Sequence, residues 1–322
     1  MPRQGSAQEK TIRIATFESG LGRKGPGIMM RDVTREEDQA AAALDVIANV
    51  DADVILLGDI DWDIEGRGLG AIQDALAARG ANYPYSVARK PNSGIPSGYD
   101  LDGNGRSHEA RDALGYGRFT GDSGLALLSR IPLGPVSDHG AVPWDAPAGL
   151  VPERVTLPVA TTAQWVVPLA ETGITLVTLA AGTPVFDGPE DRNGHRNAAE
   201  LALSTRLAEA SPLPILLGRA NLDPVDGDGQ LEAIRALLSH PGWFDPEPRG
   251  HGGGGAGHLG DPALDTAAWD GPGPLRVDYI LPARGLVVMD AGVLWPPAED
   301  PLLKTVEQAG AGRAVWVDIA LP

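Results

Sequence analysis

Three aspartates two residues apart, Asp59, Asp61 and Asp63, follow the apolar run Asp53–Leu57. Alternate residues of an extended chain face the same way. The three carboxylates would therefore project together at the end of a buried strand, where α/β proteins place ligand and metal sites. Hard divalent cations suit such oxygens; the same spacing also describes a solvated acidic turn. A second oxygen-rich segment, Asp100-Leu101-Asp102-Gly103-Asn104-Gly105, begins like a calcium loop but lacks a well-placed downstream Glu and flanking helices. Asp223–Gly229 has a similar look, and both read equally as Asx-rich turns. A third polar segment, Pro184–Asn197, carries Arg192 and leads into a helix that Asp191 or Asn193 is placed to cap. Finally, His251 and His258 bracket a run of glycines that is expected to be mobile and whose two imidazoles are within chelating reach of one another.

The elements that position these groups follow from hydrophobic periodicity. Thr11–Phe17 and Asp53–Leu57 read as buried strands around a helix at Glu36–Ala48, a β-α-β opening. Helical spacing recurs at Leu69–Ala78, Asn197–Ala210 and Gln230–Leu238. Strand-like runs recur at Gly124–Leu128, Ile174–Leu179, Leu213–Leu217, Val277–Leu281, Leu286–Met289 and Ala314–Ile319. The irregular alternation predicts mixed α/β sheets layered with helices. The 42 Gly and 28 Pro gather between these elements, in loops long enough to carry function. Of the tryptophans, Trp165 and Trp316 are expected in the core, and Trp62 and Trp295 are candidates to line a pocket.

Composition narrows the function classes. The 322 residues are 43% apolar and 21% charged, which places the chain among globular proteins. Its net charge of −17 opposes nucleic acid and anionic lipid, since long-range steering follows the summed charge. With no cysteine there are no disulfides, thiolate zinc sites or Cys nucleophiles. No run of apolar residues is long enough for membrane insertion, and Met1–Ser6 lacks the apolar core of a signal peptide.

Several blocks together resemble the endonuclease/exonuclease/phosphatase family, in its bacterial exported branch with long Gly/Pro loops. They are Ile12–Phe17, Pro91–Gly94, Gly115–Phe119, Pro184–Asn197, Asn221–Pro224, Arg276–Tyr279 and Val315–Asp318. The resemblance implies a DNase I-like fold, two β-sheets packed face to face with helices outside, as a single domain over residues 11–322 after a disordered segment at 1–10. It also implies divalent-metal hydrolysis of phosphoesters and a periplasmic or secreted location.

The catalytic positions depart from the family pattern. Glu18 stands where the resemblance calls for Asn, Asp59 replaces the metal-binding Glu, and Leu179–Gly182 offers no histidine. Arg219 replaces the Asp that orients water, and Gly310–Arg313 replaces the terminal Ser-Asp-His. Asn221 and Asp278 remain. A literal Ser137-Asp138-His139 lies far too early in the chain to be that triplet. A guanidinium among carboxylates repels a divalent cation at close range, so Arg219 is expected to pair with Asp59, Glu18 or both.

Three readings follow. The favoured one is a catalytically degenerate protein that binds a small-molecule or protein ligand through the former active-site cleft, with Glu18, Asp59, Asp61, Asp63, Arg192, Arg219, Asn221 and Asp278 as candidate contacts. The second is a divergent phosphoesterase with a rearranged Mg, Mn or Ca site that includes Asp59 and Glu18. The third is a calcium-responsive surface protein built on turns such as that of Asp100 and Asp102. Nucleic acid is disfavoured as a partner in all three.

Overall fold

The computed structural model describes residues 10–321; the disorder expected at the N-terminus lies outside them, apart from Lys10. β1 (Thr11–Glu18) is followed by α1 (Ile28–Thr34), α2 (Asp38–Val50), β2 (Val54–Ile60), α3 (Arg67–Ala78), β3 (Tyr85–Val87), β4 (Gly124–Ser129), β5 (Ser137–Asp138), β6 (Trp165–Pro168) and β7 (Thr175–Ala180). Then come α4 (Arg192–Glu209), β8 (Pro214–Arg219), α5 (Leu231–Leu238), β9 (Ala267–Ala268), β10 (Pro274–Leu275), β11 (Asp278–Pro282), β12 (Val287–Val293), α6 (Leu302–Ala309) and β13 (Val315–Ala320). The predicted helices and strands are present, with ends shifted by a few residues; α4 opens at Arg192 rather than Asn197.

Two mixed sheets face each other, one in the order β12-β13-β1-β2-β4-β3 and the other β11-β8-β7-β6-β5; β9 and β10 form a small separate ribbon. Ile12 and Ile14 of β1, Leu56 of β2, Trp165 of β6, Leu217 of β8 and Val317 of β13 meet in the core between the sheets. The alternate residues Ala15, Phe17, Ile55 and Leu57 point outward beneath the helices of the first sheet, and Leu216, Tyr279 and Leu281 lie under α4 and α5. Strands buried on both faces need apolar residues at nearly every position. That is why β2 and β8 open on continuous apolar runs rather than alternating ones.

The inner face of α4 carries a buried polar pair. Glu200 accepts from the Thr161 amide (2.6 Å), the Thr161 hydroxyl (2.7 Å) and the Gly182 amide (2.7 Å). Arg196 donates to the carbonyls of Leu114, Pro158 and Val159. Burial draws the Arg196 pKa down to about 10, and Glu200 is shifted upward for the same reason. The helix thereby holds three loops in place. Trp165 is fully buried as predicted, and Trp295, a candidate to line a pocket, packs into the core between the sheets. Among the described residues no helix is long and apolar enough to cross a membrane.

Candidate functional site

Strand directions bring the candidate residues to one end of the sandwich. β1 and β2 run parallel, so Glu18 and Asp59 both lie at C-terminal ends. β13 runs antiparallel to β1, which places Arg313 and its neighbours beside the same end. In the other sheet β8 ends at Arg219, and antiparallel β11 begins opposite it, with Asp278 paired to Arg219 in register.

The backbone aims these groups. Gly218 sits at φ 126°, where a Cβ would overlap the Leu179 carbonyl, so only glycine fits immediately before Arg219. Asp59 lies at φ 53° and coincides with a register shift between Leu57 and Ile60. That break corrects the expectation that Asp59, Asp61 and Asp63 share one side of an extended strand. Asp63 instead organises the start of α3, accepting from the amides of Glu65 (3.0 Å), Arg67 (3.0 Å) and Gly68 (2.8 Å). Burial pulls its pKa up, but these amides together hold it below the usual carboxylate range.

Arg219 engages Asp278 through two parallel hydrogen bonds, Nε to Oδ1 and Nη2 to Oδ2, both 2.9 Å. Its Nη1 lies 3.8 Å from Glu18 Oε1, and Trp269 covers it, with the guanidinium carbon 5.7 Å from the ring centroid. The Thr266 hydroxyl also donates to Asp278 (3.1 Å). The pairing expected with Glu18 is thus a loose contact, and the principal partner is Asp278. Asp59 is held elsewhere: it accepts from the Ser123 hydroxyl at 2.6 Å, and its carboxylate fills the space that a side chain on Gly22 would need. Glu18 likewise fills the space beside Gly58.

Electrostatics follow this geometry. Burial opposes the Arg219 charge, yet Asp278 and Glu18 outweigh it and raise the guanidinium pKa. Glu18 is pushed up to about 7 by burial, which Arg219 only partly offsets because its fork is committed to Asp278. Asp61 is also pushed up to about 7 by burial, against amides donated by Arg23 (3.0 Å) and Ser123 (3.4 Å). Beside it opens a cleft of about 510 Å³ lined by Asp61, Trp62, Ile64, Leu69, Lys90 and Leu125. Trp62 therefore lines a pocket as expected.

The remaining candidates have structural roles. Asn221 donates to the Ala181 carbonyl (2.6 Å). Arg192 donates to the Leu101 carbonyl and so docks the Asp100–Gly105 turn on α4. Within that turn Asp100 accepts from the amides of Gly103, Asn104 and Gly105. Asp100, Asp102 and Asp112 each bring an oxygen within 4.8 Å of the others, but Asp112 is itself engaged by the amides of Leu101 and Glu109. These bonds explain the turn without an ion. Arg313, in the stretch where the terminal histidine is expected, donates to the carbonyls of Gly310, Ala311 and Gly312 and lies over Trp295. Ser137 and Asp138 form β5, at the opposite edge of the second sheet from β11.

A divalent cation does not fit between Glu18 and Asp59. It would face the Arg219 guanidinium, and one of its two carboxylate ligands is wedged between Gly22 and the Ser123 hydroxyl. Ser123, Thr266 and Trp269 escaped the sequence reading, because only the tertiary fold brings them to the cluster.

Two facing mixed sheets, flanked by helices and carrying a polar cluster at one end of the sandwich, define the DNase I-like fold class. Residues 29–313 match the sequence profile of the Endonuclease/Exonuclease/phosphatase family, and the chain belongs to that family. Among solved structures it is similar to an endonuclease/exonuclease/phosphatase from Beutenbergia cavernae (TM-score 0.61, 16% identity, covering 97% of this chain and 72% of that one). It is also similar to the 3′ phosphatase NExo from Neisseria bound to product DNA hairpin (TM-score 0.53, 14% identity, 95% and 98% covered). A third is sphingomyelinase C from Streptomyces griseocarneus (TM-score 0.51, 13% identity, 96% and 99% covered). At these identities the likeness establishes the fold. No curated protein sequence matches the chain.

Proposed function

We propose that this family member is catalytically silent and uses the end of the sandwich, with the adjoining Trp62 cleft, to bind a ligand. The observation that carries the reading is Arg219: a guanidinium fixed to Asp278 stands where hydrolysis needs a carboxylate to orient water. A missing general acid or base removes a factor of roughly 10² to 10⁴, and here Leu179–Gly182 and Gly310–Arg313 supply no imidazole either. The carboxylates of Asp59 and Asp61 and the overall charge of −17 favour a cationic or neutral ligand over a polyanion. The likeness to a DNA-bound phosphatase and to a sphingomyelinase supports the scaffold.

A panel of phosphomonoesters and phosphodiesters, assayed with Mg²⁺, Mn²⁺ and Ca²⁺, tests the proposal. The expected result is no release of product beyond the protein-free control. Turnover by the purified chain that vanishes in Asp59→Ala would overturn it in favour of a divergent phosphoesterase.

A further inference from the structure

The glycine-rich loop between Gly250 and the 3₁₀ turn Pro262–Leu264 takes a backbone path that favours glycine at several positions. Gly253, Gly254, Gly255 and Gly257 lie at φ of 89°, 75°, 151° and 84°. A side chain on Gly252 would overlap the Trp295 indole, and one on Gly253 would overlap Asp265. His251 is exposed.

His258, by contrast, is only 9% exposed and lies between two carboxylates. Its Nδ1 is 3.4 Å from Asp226 Oδ2, and its Nε2 is 3.6 Å from Asp265 Oδ2. Nε2 is sealed from solvent and has no hydrogen-bond partner. The same two carboxylates grip the loop backbone: Asp226 accepts from the amides of Leu259 (2.7 Å) and Gly260 (2.8 Å), and Asp265 from that of Gly254 (2.8 Å). Asp223 adds a third negative charge nearby, its oxygens already engaged by the amides of Val225, Asp226 and Arg276. The cations Arg249 and Arg276 are paired elsewhere, with Asp261 and Asp245.

A neutral imidazole has one N–H and one lone pair, whereas the imidazolium donates from both nitrogens. Between two carboxylates the neutral ring therefore satisfies one and turns its lone pair on the other. Burial shifts Asp265 upward, opposed by the Gly254 amide and by His258, so its ionised form is also less costly beside a charged ring. Both effects have the same sign.

We propose that His258 is a protonation-dependent clasp that closes the glycine-rich loop onto Asp226 and Asp265 as pH falls. Asp265 precedes Thr266, whose hydroxyl donates to Asp278, so the clasp is anchored one residue from the support of the Arg219 pair. This inference goes beyond ligand binding at the cleft and does not depend on it.

Hydrogen exchange tests it. Protection of the Gly254, Leu259 and Gly260 amides, corrected for intrinsic exchange and referenced to α2, is followed from about pH 5 to about pH 8, where histidine charge changes. The expected result is a loss of about tenfold in protection with rising pH, the scale of one charge-assisted hydrogen bond, and no such slope in His258→Gln. A flat profile in the unaltered protein, or a slope that survives in His258→Gln, overturns the clasp. Since the substitution itself could open the loop, imidazole ¹⁵N shifts of His258 are recorded on the unaltered chain over the same range. Protonation of both ring nitrogens in step with the gain in protection supports the clasp, and a ring that stays neutral across that range refutes it.

Discussion

Arg219 and Asp278 are register partners across the antiparallel β8–β11 ladder, and their side chains meet in a two-pronged ion pair at 2.9 Å. Asp278 has 1% of its side chain exposed and Arg219 has 13%. A buried carboxylate stripped of its counter-charge destabilises a fold by about 3–5 kcal/mol, whereas removal of both charges is far milder. Arg219→Met is therefore expected to lose about that much, and Arg219→Met combined with Asp278→Asn much less. Urea unfolding of the two single variants and the double variant measures the coupling; strictly additive losses would contradict the pair.

Gly218 is the second point of leverage. An alanine there would have to adopt φ near 126° and would press its Cβ into the Leu179 carbonyl of the neighbouring strand. Backbone oxygen cannot swing aside as a side chain can, so Gly218→Ala is expected to cost about 2–4 kcal/mol through strain and local strand displacement. A thermal midpoint within a degree of the parent's would rule this out.

The pH dependence has a definite sign. Glu18 and Asp61 titrate near 7 in the folded chain because burial disfavours their charge, while unfolded carboxyls titrate near 4. Between these values the folded state holds more protons, so their contribution makes stability fall as pH rises and level off above about 7. Glu18→Gln and Asp61→Asn should each flatten that decline. Unfolding free energies collected at several pH values decide it, and superimposable slopes for parent and variants would exclude the shifts.

Glu200 offers a control away from the cleft. Its two oxygens accept three hydrogen bonds from Thr161 and Gly182. Glu200→Ala leaves these buried donors unsatisfied and Arg196 without its nearby counter-charge, and is expected to destabilise by about 3 kcal/mol or more. Glu200→Gln, which keeps the shape and one acceptor, should lose less. Equal midpoints for the two variants in a denaturant series would count against this network.

The sequence made the layered α/β architecture legible because its long elements have strong periods: α2, α3, α4 and α5 repeat at helical spacing, and β1, β2, β4, β7 and β8 are dense apolar runs. It did not reveal α1 and α6, which are short and embedded among glycines and prolines, or β3 and β5, which are two or three residues long. Within the site, family resemblance assembled Glu18, Asp59, Arg219, Asn221 and Asp278. Arg219 meets the expected Glu18 only at 3.8 Å; its closer partner, Asp278, escapes the sequence because it is fixed by the register of two strands far apart in the chain. Asp63 was placed with Asp59 and Asp61 because nothing in the residue types announces a left-handed backbone at Asp59. The sequence pairs His258 with His251 for a similar reason: the carboxylates that flank it, Asp226 and Asp265, are brought beside it only in the folded chain.

The Trp269 indole over the Arg219 guanidinium has a practical consequence. A nearby cation perturbs the excited state of an indole, so the emission of this ring reports on whatever displaces or neutralises that charge. Subtracting the spectrum of Trp269→Phe from that of the parent isolates its signal from the other six tryptophans. The chain thus carries an optical gauge of its Arg219 cluster, and candidate ligands can be screened by colour shift without attaching a dye.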